Sequence, residues 1–292
     1  MNWDREKIAA YYELSKPRLS AMAVIMVGLG YVLARRVLNE GFDWPRFFAT
    51  ALGTSLVGIG SAALNQWIEV ARDAAMDRTK SRPLPSGRLE RKSVLYFGYA
   101  ASLGGVLLLL LFVNPVTAVL AAFTLFFYLA VYTPAKPLSS LATLIGAIPG
   151  AIPPLMGWTA GYGMIAWQGL FLFGILFLWQ IPHFLAIAWM YKDDYALGDF
   201  AVLPVEDPEG SSTFQQAALY SLALLVISVL PTLRGMAGTL YFGGALFFGG
   251  MMLQKVWQLS RERSRARARG LFLVSILYLP AISILLVLDQ IY

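Results

Sequence analysis

Charged and apolar positions are segregated along this chain. Asp, Glu, Lys and Arg are absent from residues 19–34, 47–68, 93–135, 137–191, 210–233, 235–254 and 270–288. Each run is largely apolar, and a membrane-spanning helix needs about 20 such residues. Runs 93–135 and 137–191 are long enough for two spans each, divided at Asn114-Pro115 and at Gly161-Tyr162-Gly163, so nine spans are expected. The first run is short, but Arg35 and Arg36 can snorkel at its end. No leader with an apolar stretch and a small-residue cleavage site precedes it, so it reads as a retained span. Helices are the expected form, because backbone in lipid must satisfy its own hydrogen bonds and these runs exceed the length of a barrel strand. The expected fold is an all-α polytopic membrane protein of nine transmembrane helices, with one domain over residues 1–292.

Composition agrees with that reading. Charged residues are 14% of the chain, against about 25% in soluble domains, and mean hydropathy is +0.62. Cysteine is absent and there is one histidine, which excludes disulfides, thiolate chemistry and sites built from several imidazoles. The distribution of the bases gives orientation. Residues 1–18, 69–92 and 255–269, with Lys136 and Lys192, hold all but Arg35, Arg36, Arg46 and Arg234 of the 23 Lys and Arg. The positive-inside rule then places the N-terminus in the cytoplasm and, after nine spans, the C-terminus outside. The net charge of +6 is therefore a topology signal, not a nucleic-acid footprint. The Arg261–Arg269 segment reads as a positive-inside stop or as a binder of anionic headgroups.

Ten of the 17 acids crowd two segments on the inner side, residues 69–92 and 191–212. In the first, Asn65, Glu69, Asp73 and Asp77 recur every four residues, so a continuous helix places all four on one face. Such a stripe needs a counter-charge. A hard cation supplies one, and Mg²⁺ takes carboxylate and amide oxygens together with substrate phosphates. Arg78 and Arg82 follow closely. The second segment begins Tyr191-Lys192-Asp193-Asp194, with Asp193 and Asp194 as candidate metal ligands. A solvated, salt-bridged surface is the plainer reading of both segments, and it suits residues 206–209 best. Ala147–Pro154 carries three prolines, which predicts either a packing kink or a broken helix lining a cavity. His183 sits about 12 Å inside the cytoplasmic end of its span, a functional position by default, with an interhelical hydrogen bond as the alternative.

These residues resemble the UbiA-type intramembrane prenyltransferases. The resemblance lies in Asn65-x3-Glu69-x3-Asp73 with Arg78-Thr79 and Arg82-Pro-Leu-Pro-Ser-Gly87. It narrows to the haem-farnesylating branch through Leu144–Trp158, Trp179-Gln-Ile-Pro-His-Phe184, Tyr191-Lys-Asp-Asp-Tyr195 and Leu203-Pro204-Val205. Gln66, Glu69 and Met190 depart from the wider family pattern and fit the haem-farnesylating branch. The resemblance implies helices around a central lipid-accessible cavity, in a prokaryotic inner membrane, with the active site on the cytoplasmic side. It implies farnesyl transfer from farnesyl diphosphate to a vinyl group of haem B, assisted by Mg²⁺, with a haem A synthase as a candidate partner.

The residue roles it implies are as follows. Asn65, Glu69, Asp73, Asp193 and Asp194 face the metal, and Arg78, Arg82, Lys136 and Lys192 face the diphosphate. His183, Asp77, Tyr132, Trp158, Gln180 and Tyr191 contact substrate, with His183 as a candidate ligand of haem iron. Trp67, Tyr128, Tyr132, Trp158 and Trp189 are looser candidates for shielding an allylic cation. A quinone- or chlorophyll-type aromatic prenyltransferase and a membrane transporter are the rival readings.

Overall fold

The structure, a computed structural model, describes residues 3–291; residues 1, 2 and 292 at the ends of the expected domain lie outside the described residues. In chain order the helices are α1 (Trp3–Leu14), α2 (Pro17–Val37), α3 (Trp44–Ile68), α4 (Val70–Ala75), α5 (Arg91–Phe112) and α6 (Pro115–Phe126). A π-helical stretch, Phe127–Tyr132, extends α6 into the single turn α7 (Thr133–Ala135). There follow α8 (Ala142–Tyr162), α9 (Trp167–Met190), α10 (Lys192–Leu197), α11 (Leu203–Glu206), α12 (Ser211–Leu233), α13 (Thr239–Arg261) and α14 (Arg265–Leu288). The described residues contain no strand, only an isolated bridge between Ala237 and Gln290.

Among the described residues seven helices are long and apolar enough to cross a membrane: α2, α3, α5, α6 with its extension, α9, α12 and α14. Much of their outward surface is apolar, including Leu103, Leu111, Leu219 and Leu288. α8 and α13 are of similar length, at 21 and 23 residues. Helix starts follow local chemistry. Asn114 Oδ1 accepts from Thr117 N at 2.8 Å and Asp43 Oδ1 from Arg46 N at 3.0 Å, each beside a proline in the first turn. α8 stops at Gly163, whose φ of 94° suits a residue with no Cβ.

With lipid outside, apolar burial does little to bring helices together, so close backbone contact matters more. A Cβ at Gly30 would stand 2.0 Å from the Pro154 carbonyl oxygen, and one at Gly157 would stand 1.9 Å from that of Val27. α2 therefore lies directly on α8. α3 and α5 meet in the same way, with Gly105 against the Gly53 carbonyl and Gly60 against Ser102. The second half of the chain is cemented by larger side chains: Leu224, Tyr241, Met252 and Tyr278 are fully buried together.

One open alternative closes and one expectation changes. The proline-rich segment is not a broken helix: α8 runs unbroken from Ala142 to Tyr162 with Pro149, Pro153 and Pro154 inside it. Its packing explains this, since α2 presses on Pro154 and Gly157, and buried Gln180 of α9 reaches the Ala147 carbonyl at 3.3 Å. The acidic stripe, in turn, is not one helix face. α3 ends at Ile68, Glu69 forms the joint (φ −92°, ψ 8°), and α4 ends at Ala75 before an extended Met76.

Candidate active site

The joint at Glu69 keeps the helical hydrogen bonds on both sides, from Glu69 N to the Asn65 carbonyl and from Asp73 N to the Glu69 carbonyl, each 2.9 Å. Asn65, Glu69 and Asp73 therefore remain on one side, and all three are buried. They line a cavity of about 180 Å³. Its other walls come from Lys16 before α2, the loop after α4 (Met76, Arg78, Thr79, Arg82), the π-helical stretch (Tyr128, Tyr132), Lys136, α8 (Ala142, Thr143), α9 (Phe184, Ala188) and the segment Tyr195–Val202. The π-helix places Tyr128 and Tyr132, four residues apart, side by side with ring centroids 5.3 Å apart; such bulges are frequent at functional sites.

Each buried carboxylate has its own cation. Arg82 Nη1 lies 2.7 and 2.8 Å from the two Asp73 oxygens, and Lys136 Nζ lies 2.8 Å from Glu69 Oε1. Lys136 is also 4.6 Å from the Tyr132 ring centroid. Burial alone would lower its amine, but Tyr132, Tyr128 and Glu69 outweigh that and hold it above the ordinary lysine range. Asn65 Nδ2 donates to Thr133 Oγ1 at 3.1 Å, and that hydroxyl donates onward to the Tyr128 carbonyl at 2.8 Å. The amide is thereby oriented, with its oxygen left as an acceptor. Arg78 stacks between Tyr191 and Tyr195, with centroids at 5.5 and 5.3 Å.

Lys16 was not singled out from sequence. It precedes Pro17 yet adopts a left-handed backbone (φ 46°, ψ 59°), a costly combination that tends to persist where the side chain has a task. Its amine is lowered to about 8, first by burial and then by the Arg82 and Lys136 cations. The only sequence signal was a base at the head of the first span.

The expected site residues divide into two groups. Asn65, Glu69, Asp73, Arg78, Arg82, Tyr132 and Lys136 come together in the cavity wall. The others stand outside it. Asp77 is exposed and bound to Lys80 at 2.6 Å, because α4 has ended before it; Lys80 lowers its carboxyl below the ordinary range. Asp193 is exposed, Asp194 half-buried, and Lys192 lies over Trp189. Trp158 is fully buried against Tyr162, and Gln180 is held by the Leu176 and Ala147 carbonyls. His183 lies between α9 and α14, next to Phe184 of the wall.

Among the described residues no three Asp, Glu, His or Cys side chains stand close enough to hold a metal alone. The donors that face the cavity are two carboxylates and an amide oxygen. This set fits Mg²⁺, which commonly takes one or two protein carboxylates and completes its shell with phosphate and water.

Comparison with known proteins agrees with this geometry. The UbiA prenyltransferase family profile matches residues 21–279. A protoheme IX farnesyltransferase of Solibacter usitatus is 44% identical over 286 residues, 96% of this chain and 98% of that protein. In fold, the chain is similar to a digeranylgeranylglyceryl phosphate synthase (TM-score 0.81, 18% identity, 97% and 98% of the two chains). It is also similar to a UbiA homolog from Archaeoglobus fulgidus solved with GPP and Mg²⁺ (TM-score 0.63, 12% identity, 95% and 99%). A cavity that sets buried carboxylates among several cations, at the ends of long apolar helices, is what a prenyl diphosphate requires, and this chain is an integral membrane protein belonging to the UbiA prenyltransferase family.

Proposed function

We propose that this protein transfers the farnesyl group of farnesyl diphosphate to a vinyl group of haem B, producing haem O and diphosphate. The observation that carries the reading is the cavity itself. Lys16, Arg78, Arg82 and Lys136 surround Glu69 and Asp73, so bases outnumber acids by two, which favours an anion together with its counter-cation. The acceptor follows from the 44% identical relative, a protoheme IX farnesyltransferase matched over nearly its whole length.

Asn65, Glu69 and Asp73 would hold Mg²⁺, which when bound supplies charge neutralisation to the diphosphate. Arg82 and Lys136 then exchange carboxylate partners for phosphate oxygens, and Arg78 and Lys16 close on the same group. The bond from farnesyl C1 to oxygen breaks with both electrons leaving on diphosphate, whose growing charge these bases stabilise. The Tyr128 and Tyr132 rings shield the allylic cation from water. The vinyl π pair of haem B bonds to C1, water adds to the resulting benzylic-type cation, and one proton is released.

In the bilayer, α8 and α13 join the seven apolar helices to make nine spans. The cavity is then a central chamber open to lipid, on the cytoplasmic side of a prokaryotic inner membrane. Residues 1–18 and 69–92, which together hold 11 of the 23 Lys and Arg, lie on that side. Asp193 and Asp194 would serve the metal only if α10 moved inward, and Arg78 between Tyr191 and Tyr195 is the contact that would transmit such a movement. Incubation of the purified protein with farnesyl diphosphate, Mg²⁺ and haem B, followed by mass analysis, tests the reading. A hydroxyethylfarnesyl haem is expected; farnesylation of a quinone precursor in its place would overturn it.

A further inference from the structure

His183 is an imidazole on a long apolar helix, α9, that the diphosphate cavity does not use. Its Nδ1 lies 2.7 Å from Ser275 Oγ of α14, and that hydroxyl donates its proton to the Phe272 carbonyl at 2.6 Å. Ser275 Oγ is therefore the acceptor and Nδ1 carries the proton. The other nitrogen, Nε2, is left with its lone pair. Trp179 and Phe272 stack on the ring at 4.7 and 5.1 Å, and Trp179 Nε1 fixes the same turn of α14 by donating to the Ser275 carbonyl at 2.7 Å. Nε2 has no protein partner among the described residues and is not sealed in the interior. An imidazole held rigidly, with its tautomer set by a second group and its other nitrogen unpaired, is built as a metal ligand.

What lies beside it narrows the metal. The surroundings are aromatic and aliphatic, with Phe184, Leu273 and Ile276 exposed, and no carboxylate completes a site for a bare ion. Seven residues before Phe272 on the same face of α14, one end of the ring stack, stands Arg265. It is exposed, makes no ion pair among the described residues, and lies 5.3 Å from the Tyr191 ring centroid. The helix rise puts it about 10 Å toward the cytoplasmic end from Phe272. A flat apolar macrocycle with iron at its centre and carboxylates on one edge matches that spacing of ligand, apolar wall and cation. Phe184 touches His183 at 5.6 Å and also lines the diphosphate cavity, so the two places share one wall.

We propose that the α9–α14 face binds the haem acceptor, with His183 Nε2 on the iron and Arg265 on a propionate. This rests on haem B being the acceptor. It adds where the haem sits and how it is turned: propionates toward the cytoplasm and a macrocycle edge toward Phe184.

The full-length protein in nanodiscs is titrated with haem B, following the Soret band and the iron EPR signal. The wild type is expected to give a histidine-ligated spectrum. His183→Ala should lose it and recover it on addition of free imidazole. Ser275→Ala, which frees the tautomer while keeping the ring, should weaken haem affinity and leave the ligand type unchanged. Arg265→Gln should weaken haem B binding about tenfold but leave binding of haem dimethyl ester unchanged, since the ester has no carboxylate to lose. An unchanged spectrum in His183→Ala would overturn the iron contact. Equal affinities of wild type and Arg265→Gln for haem B would overturn the propionate contact. Product analysis of the wild type is run alongside: if the farnesyl group goes to an acceptor other than haem, the underlying reading fails, whatever the spectra show.

Discussion

Around Glu69 and Asp73 each buried carboxylate is paired with a cation; around His183 the neighbours are aromatic rings and a serine. Both places are polar points inside an apolar bundle, and they solve that problem differently. The cavity keeps full charges and compensates them in pairs, because removing one partner from a buried pair is far costlier than never burying it. The α9–α14 face keeps a neutral ring and satisfies its one proton. The first arrangement suits a highly charged leaving group that must be met by exchange of ions. The second suits an apolar acceptor that needs a single directed lone pair.

The sharpest way to break this contrast is Asp73→Asn, which keeps the shape but removes the charge that Arg82 and the cation share. Turnover should fall by about 10²–10³-fold in the mass assay with kcat, not KM, carrying most of the loss. Near-normal turnover would mean that the cavity does not work by charge. Next is Lys136→Met, which strands Glu69 in the interior. Breaking such a pair costs about 3–5 kcal/mol, visible as a lower Tm in detergent. Adding Glu69→Gln should restore most of the Tm while leaving the enzyme inactive; a double variant no more stable than the single would sever the two residues' dependence.

A milder test uses pH at Lys16. Its amine titrates near 8, so it is cationic below and neutral above. KM for farnesyl diphosphate should rise up to about tenfold as pH passes 8, and Lys16→Arg, charged throughout, should flatten that rise. Folding responds with the opposite sign: a lysine held below 10.5 in the fold costs stability at low pH, and that cost fades between about 8 and 10.5. The smallest effect is expected from Asp77→Asn. Its bond to Lys80 is fully solvated, so activity should stay within twofold of wild type, although Asp77 continues the same four-residue spacing.

That last residue marks where sequence reasoning was effective and where it stopped. Absence of charge located the long helices, and Asn114 and Gly163 mark helix ends that the chain itself encodes. Asn65, Glu69 and Asp73 were legible because a four-residue spacing survives a bend that keeps its hydrogen bonds. Asp77 was not, because its position depends on where a six-residue helix stops. Tyr128 could be named only loosely, because a π-helix shifts the register by one residue and leaves no local mark. Lys16 was hidden because its importance lies in a backbone angle and in what packs beside it. Proline content left two readings open at α8, and two neighbouring helices decide between them by supporting a segment that local propensity would break.

The two ion pairs differ in how far apart their members lie in the chain. Asp73 and Arg82 are nine residues apart and can meet as soon as their loop is made, whereas Glu69 and Lys136 are separated by 67 residues. Two more spans, α5 and α6, must be synthesised before Lys136 exists. Until then Glu69 stands at the end of α3 without the cation that it bonds in the finished fold. During membrane insertion, then, the first three long helices cannot dock fully until the fourth arrives. The cavity around Glu69 and Asp73 is closed by an assembly step rather than by any helix on its own.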